Sequence, residues 1–301
     1  MKKILSLLLV LSFMLVGCSS PKKANEMKIL TPSGAPALSL VGVYKDVVKN
    51  GEIKIVEGSD LVSSELVKKD SAYDVVIAPI NLGCQLIAKG QTDFRLAAVM
   101  TWGNLYLVEN EAVKNNTLAA FGEQAVPGKI FNLVKDSSDM MKNANVTFYN
   151  AVSDVQAQVL AGKCQYALMA EPAATATIAK AKQNGTTVKN VASLQDLYQK
   201  KVGSSEEGYP QAAIFVKSKD DTKDFLTKIE ANLFGKKDDD SLISLIDEIK
   251  PETFGVPNGV IAAKTWGNQN INYKDASLVK EDIKALLKQF NIEYNDDMLI
   301  G

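Results

Sequence analysis

The segment Asp74-Val75-Val76-Ile77-Ala78-Pro79 constrains this chain more than any other. A continuous apolar run of this length, closed by proline, reads as a central parallel strand buried on both faces. A helix must follow it, because parallel neighbours need a crossover. Asn81 stands where that helix opens, and Gly90 is the residue on which it stops. The same order of apolar run, turn and helical periodicity recurs along the chain and predicts an α/β fold. Strands are expected at 27–30, 53–56 and 96–100, and a helix at 63–69. Thr31-Pro32-Ser33-Gly34-Ala35-Pro36 is a turn that opens a helix, in which Leu38, Val41, Tyr44 and Val48 mark one buried face. Thr101-Trp102-Gly103-Asn104 then turns the chain into a further apolar run, 105–108.

A second series begins near Thr117. Strand 118–121 leads through Gly122-Glu123-Gln124-Ala125-Val126-Pro127-Gly128 to the apolar face of Ile130, Phe131 and Val134. Strand 146–149 leads to a helix carrying Val155, Val159 and Leu160, with Asn150 in its cap region and Ser153 as N-cap candidate. Strand 166–170 ends at Glu171-Pro172, and a helix to 182, a strand near Val188 and a helix over 194–198 complete the series. The segment 209–216 reads as an extended return. Beyond it only helices are expected, at 224–233, 241–249, 258–265 and 278–290, covering the first sheet. The charge run 236–240 reads as a solvated loop between helices.

Composition narrows the function. With 34 basic and 35 acidic residues, the chain lacks the basic excess of a nucleic-acid binder. It has no histidine, which removes the usual general base of hydrolases and the commonest metal ligand. No cofactor, no metal site and no catalytic residue is expected. Arg95 is the sole arginine and lies at a strand entrance, so no guanidinium clamp is expected at a ligand site. Cys84 and Cys164 sit among apolar neighbours and read as free thiols. A chain of 301 residues exceeds what one compact core usually holds.

The amino terminus gives the address. Lys2 and Lys3 precede the apolar run 4–16, which ends at Leu15-Val16-Gly17-Cys18. A basic region followed by a short apolar region marks a secretory signal. Its ending resembles the bacterial lipobox, which implies cleavage before Cys18, lipid on its sulfur and a location on the extracytoplasmic face of the cell membrane. The expected divisions are a signal peptide at 1–17, a lipidated tether at 18–26, lobe 1 at 27–108 with 214–301, and lobe 2 at 109–213.

Lipobox, two strand-helix lobes and two extended crossings together resemble the substrate-binding lipoproteins of bacterial ABC importers. The branch that binds nitrate, sulfonates, taurine and thiamine precursors is the most similar. The resemblance rests on Thr31 to Pro36, the Ala-Pro-x-Asn ending at Asn81, the run from Trp102 to Val108, the segment Tyr166 to Pro172 with its Ala-Glu-Pro ending, and the return from Tyr209 to Val216. It implies a two-lobed periplasmic-binding-protein fold of class II, with mixed, mostly parallel sheets flanked by helices and hinge strands near 105–109 and 209–213. It further implies a monomer that is not an enzyme and that delivers a small molecule to a permease and its ATPase. A sensory or adhesive surface lipoprotein without a transporter is the alternative, and a pyrimidine-precursor enzyme stands behind it.

In open parallel sheets ligands bind beyond the carboxyl ends of the strands. The strand exits bring Ser33, Gly34, Ala35, Asn81 and Trp102 to the cleft from lobe 1. Gln124, Asn150, Ser153 and Glu171 reach it from lobe 2, and Tyr209 from the return crossing. Helix-terminal amides at Ser33 to Ala35 and at Gln124 to Gly128 suit an oxygen-rich group. An indole at Trp102 and an acceptor at Glu171 suit a flat, donor-bearing heterocycle such as a vitamin precursor. The ligand is therefore expected to be such a heterocycle, or a small oxyanion such as a sulfonate or nitrate.

Overall fold

A computed structural model describes residues 21–203, 208–233 and 239–301. The expected signal peptide and Cys18 lie outside the described residues. Lobe 1 opens with β1 (Lys28–Pro32), α1 (Ala35–Leu38), α2 (Val41–Val47), β2 (Glu52–Val56), α3 (Asp60–Val67), β3 (Val75–Pro79), α4 (Ile80–Ala88) and β4 (Arg95–Thr101). Lobe 2 holds β5 (Leu105–Asn110), β6 (Thr117–Phe121), α5 (Val126–Val134), α6 (Asp139–Lys142), β7 (Asn145–Tyr149), α7 (Val152–Leu160), β8 (Tyr166–Ala170), α8 (Ala173–Gln183), β9 (Val188–Ser193) and α9 (Leu194–Val202). The chain then returns to lobe 1 with β10 (Ala212–Val216), α10 (Lys219–Ala231), α11 (Asp239–Ile249), α12 (Gly259–Lys264), β11 (Ile271–Asp275) and α13 (Lys280–Gln289).

The first sheet runs β11-β4-β10-β3-β1-β2 and the second β7-β6-β8-β5-β9. β1 pairs in parallel with β2 and β3, while β10 inserts antiparallel between β3 and β4. In the second sheet β6 pairs in parallel with β7 and β8, and β5 runs antiparallel between β8 and β9. Each lobe is thus a mixed sheet whose strands mostly run one way, with a reversed strand in the middle where the chain enters or returns, and in the first sheet β11 at the edge is reversed as well.

β3 occupies the interior position its sequence demands. Val75 and Ile77 face the helical layer of α2 and α10, packing with Val43, Val47, Phe225 and Ile229. Val76 and Ala78 face the opposite layer, packing with Val62, Leu66, Cys84 and Ile283. Alternation of side chains across a strand sends neighbours to opposite faces, and both faces are covered. Each such buried aliphatic side chain contributes roughly 1.5–3 kcal/mol. α4 lies so close to β10 that a Cβ on Gly83 would sit 2.1 Å from the Phe215 ring. In lobe 2 the layer of α7 and α8 buries Val155, Val159, Ala174 and Ala181 against Val108, Ala167 and Met169.

Three expectations are corrected. The helix expected from Leu38 to Val48 is two short helices, with Leu38 and Val41 buried, Tyr44 half-buried and Val48 exposed at its end. Among the supposed late helices lies strand β11, whose Ile-Asn-Tyr-Lys-Asp alternates apolar and polar residues and pairs at the sheet edge with β4. The segment 105–109, expected as the outward hinge, is β5 of the second sheet. The crossing is the three residues before it, Trp102 to Asn104.

The two crossings are bonded to each other. Tyr209 N donates to Trp102 O at 3.2 Å and Gln211 N to Thr101 O at 2.9 Å. Trp102 N donates to Asn270 O at 2.9 Å, and Asn270 Nδ2 donates to Gly103 O at 2.8 Å. Tyr106 on β5 reaches back to lobe 1, donating to Asn268 O at 3.0 Å. At Gly208, φ is +112° and a Cβ would lie 2.0 Å from Trp102 O, so only glycine lets the return strand approach this closely. Among the described residues no helix is long and apolar enough to cross a membrane.

Candidate functional site

The carboxyl ends of the parallel strands from both sheets converge on one cavity of about 710 Å³. Lobe 1 contributes the exits of β1 (Pro32 to Pro36), β2 (Glu57 to Ser59) and β3 (Pro79, Asn81, Leu82), with Gly255 and Pro257 from a later loop. Lobe 2 contributes Phe121 and Gln124 to Pro127 after β6, Val152 and Gln156 on α7, and Ala170 to Ala173 with Ala176 at the start of α8. The crossings complete the wall with Asn104, Leu105, Gln211 and Ala212. Most of these side chains are apolar, and the polar ones are carboxamides, hydroxyls and two carboxylates, the mix expected of a small-molecule site.

Six of the predicted residues line this cavity: Ser33, Gly34, Ala35, Asn81, Gln124 and Glu171. Gly34 holds the N-cap of α1 at φ +82°, where a side chain would be strained. Its amide donates to Phe254 O at 2.8 Å, and the Ser33 amide donates to Val56 O at 2.9 Å. These two amides, expected to serve the ligand, already serve the fold.

Glu171 is 2% exposed, and both its oxygens are engaged. Thr175 N donates to Oε2 at 3.0 Å and Thr175 Oγ1 to Oε1 at 2.8 Å, so the carboxylate caps α8 from the cavity wall. The Glu171 backbone is tied to the crossing, with its N–H donating to Asn104 O at 2.9 Å and its carbonyl accepting from Asn104 Nδ2 at 2.9 Å.

Four predicted residues are placed elsewhere. Trp102 is 2% exposed and donates through Nε1 to Asn272 O at 2.8 Å, so its indole packs in the hinge and offers no face to the cavity. Tyr209 is fully buried and stacks edge-on against Tyr198 at 5.3 Å. Burial holds its hydroxyl well above the usual phenol range. Asn150 and Ser153 are exposed and outside the lining. The helix after β7 begins at Val152 with Ala151 as N-cap, and Asp154 accepts from Ala151 N, which puts Ser153 inside the first turn.

Sequence reasoning missed Glu57, Ser59, Asn104, Phe121, Gln156 and Gln211. The strand-exit rule applied to β2 would have found Glu57 and Ser59. Asn104 and Gln211 lie on the crossings, where no local pattern separates a cavity-facing residue from a hinge residue. Cys84 and Cys164 are free and buried, in different lobes. Burial pushes their thiols up to about 12 and about 11 respectively. Arg95 opens β4 and donates to Thr92 O and Phe94 O, away from the cavity.

Two mixed α/β lobes, two bonded crossings and a cavity shared between them define the architecture of the two-lobed periplasmic binding proteins. Solved structures agree. The chain is similar to an ABC transporter protein from Parabacteroides distasonis, at 19% identity and a TM-score of 0.72, covering 91% of this chain and 94% of that one. It is similar to the ligand-binding component of an ABC-type import system from Staphylococcus aureus with zinc bound, at 11% identity and a TM-score of 0.65, over 91% and 96% of the two chains. It is also similar to the periplasmic aliphatic sulphonate binding protein of Escherichia coli, at 13% identity and a TM-score of 0.59, over 91% of each chain. No protein-family model matches the chain, and neither does any curated protein sequence. These neighbours are transport binding proteins, and what they share with this chain is the fold.

Proposed function

We propose that this protein is the extracytoplasmic solute receptor of an ABC importer. The observation that carries the reading is the cavity itself, built from strand exits of both lobes and flanked by two crossings that can act as a hinge. A solute bridging the lobes favours the closed arrangement through contacts made only there, and a permease with its ATPase recognises that arrangement. The protein performs no chemistry in this scheme. The mature chain begins at Cys18 and is held as a monomer on the membrane by lipid on that thiol, since each buried CH2 contributes about 0.8 kcal/mol. The solute is a small polar molecule, either a heterocycle of the vitamin-precursor kind or a small oxyanion. In support, the cavity combines apolar walls with amides and hydroxyls that fix orientation.

A thermal-shift screen against vitamins and their precursors, sulfonates, nitrate and amino acids tests the reading. A solute present at about 100 times its dissociation constant stabilises by about 2.7 kcal/mol, which moves the midpoint visibly. Labelling with radioactive palmitate in a bacterial host tests the anchor, and Cys18→Ala abolishes the label if Cys18 carries it.

A further inference from the structure

The cavity is built against anions. Its charged lining residues, Glu57 and Glu171, are both acidic, and among the described residues no lysine or arginine lines it. Helix N-termini would ordinarily compensate by attracting an anion, and those of α3, α4, α5, α7 and α8 all reach the cavity wall. Each carries about half a positive charge. Three of the five already hold a carboxylate, however: Asp60 in the first turn of α3, Asp154 in the first turn of α7 and Glu171 at the start of α8. These carboxylates offset the field of the helix ends, and Glu57 adds to the acidic side.

Several of the wall's amides are also committed to the fold. Ser33 and Gly34 donate to Val56 O and Phe254 O, Ile80 to Gln211 O, Ala125 and Gly128 to Gly122 O, and Thr175 to Glu171. Among the wall's buried side-chain polar atoms, those left without a partner are acceptors. Asn81 Oδ1, Asn104 Oδ1 and Gln211 Oε1 are withdrawn from water and have no donor. Asn104 is 5% exposed, and its orientation is settled because Nδ2 donates to the Glu171 carbonyl. Turning the amide over would set oxygen against oxygen, so Oδ1 is held as an acceptor.

Resting on the solute-receptor reading above, we propose that the ligand is an uncharged molecule bearing N–H or O–H donors, recognised by the Asn104, Asn81 and Gln211 amides and excluded from being an anion by Glu57 and Glu171. The donors reach these oxygens as the lobes close. The aromatic side of the cavity is Phe121, and an apolar body rests there and against the prolines of the strand exits.

Two readouts on the purified protein test this. Small molecules released by denaturing it are identified by mass spectrometry, and its melting midpoint is followed with millimolar cytosine and nicotinamide as uncharged donors and with nitrate and methanesulfonate as anions. An uncharged, donor-bearing molecule in the release, or a rise of roughly 2–4 °C with an uncharged probe and none with the anions, is expected. Gln211→Leu should then weaken the bound probe about fivefold while the midpoint without ligand stays unchanged. A released anion, or stabilisation by nitrate or methanesulfonate, overturns the class assignment and leaves the receptor reading standing. So does unchanged affinity in Gln211→Leu. An empty protein that responds to no probe overturns both.

Discussion

Replacing Gly208 by alanine tests whether the bonded crossings hold the lobes in register. The new Cβ would lie 2.0 Å from Trp102 O and 3.1 Å from Gln195 Cβ, at a φ of +112°. The first distance is more than an ångström inside ordinary contact, and the neighbour is backbone, so a side-chain rotation cannot relieve it. Strain at such a φ costs about 1–3 kcal/mol. Relief by moving the return strand breaks the Tyr209 N to Trp102 O hydrogen bond, worth about 0.5–1.5 kcal/mol net. A loss of about 2–4 kcal/mol follows, a large part of the 5–15 kcal/mol by which domains are usually stable. Urea unfolding followed by circular dichroism reads it as a lower midpoint at unchanged slope. Gly185→Ala is the control: its φ is +76° but no atom lies within 4 Å of the new Cβ, so it should lose only about 1 kcal/mol. Equal losses in the two variants, or a loss below about 0.5 kcal/mol in Gly208→Ala, would refute the close-approach argument.

Other outcomes follow from the packing and the titrating groups. Gly83→Ala drives a methyl into the Phe215 ring and should destabilise by about 1–3 kcal/mol, measured by the same unfolding curve. Glu171→Gln removes the charged cap of α8 and should lower stability by about 1 kcal/mol, read from the same unfolding curve; an unchanged midpoint would contradict the capping role. Cys84 and Cys164 should resist a thiol reagent at pH 8 until the protein unfolds, since burial holds them at about 12 and about 11. Because the folded thiols keep their protons where unfolded ones release them, stability is intact below the ordinary thiol pKa of about 8.5–9 and declines as pH rises toward these values. A midpoint independent of pH across that alkaline window would contradict the burial of both groups.

Much of this fold was legible because its signals were local. The run from Val75 to Ala78 announced a strand covered on both faces, and Gly90 and Pro79 punctuated the helix between them. β11 was hidden because five residues of mixed polarity at a sheet edge carry little periodicity. The site divided along the same line. Ser33, Asn81, Gln124 and Glu171 were recoverable because they follow strands. Trp102 and Tyr209 were misplaced because the hinge and the cavity lie within a few residues of each other on the crossings. Asn104 faces the cavity, while Trp102 turns to bond Asn272 and Tyr209 packs against Tyr198. Only the three-dimensional path of the crossing decides between them.

In the proposed function the solute is held between the lobes. Calorimetric titration of a stabilising solute into the wild-type protein and into Ala176→Phe tests it most directly, because Ala176 lines the cavity from α8 and a phenyl group there fills the space between the lobes. Binding that is lost in the variant while its unfolding midpoint is retained is the predicted result. Equal affinity in the two proteins would place the solute elsewhere and contradict the account.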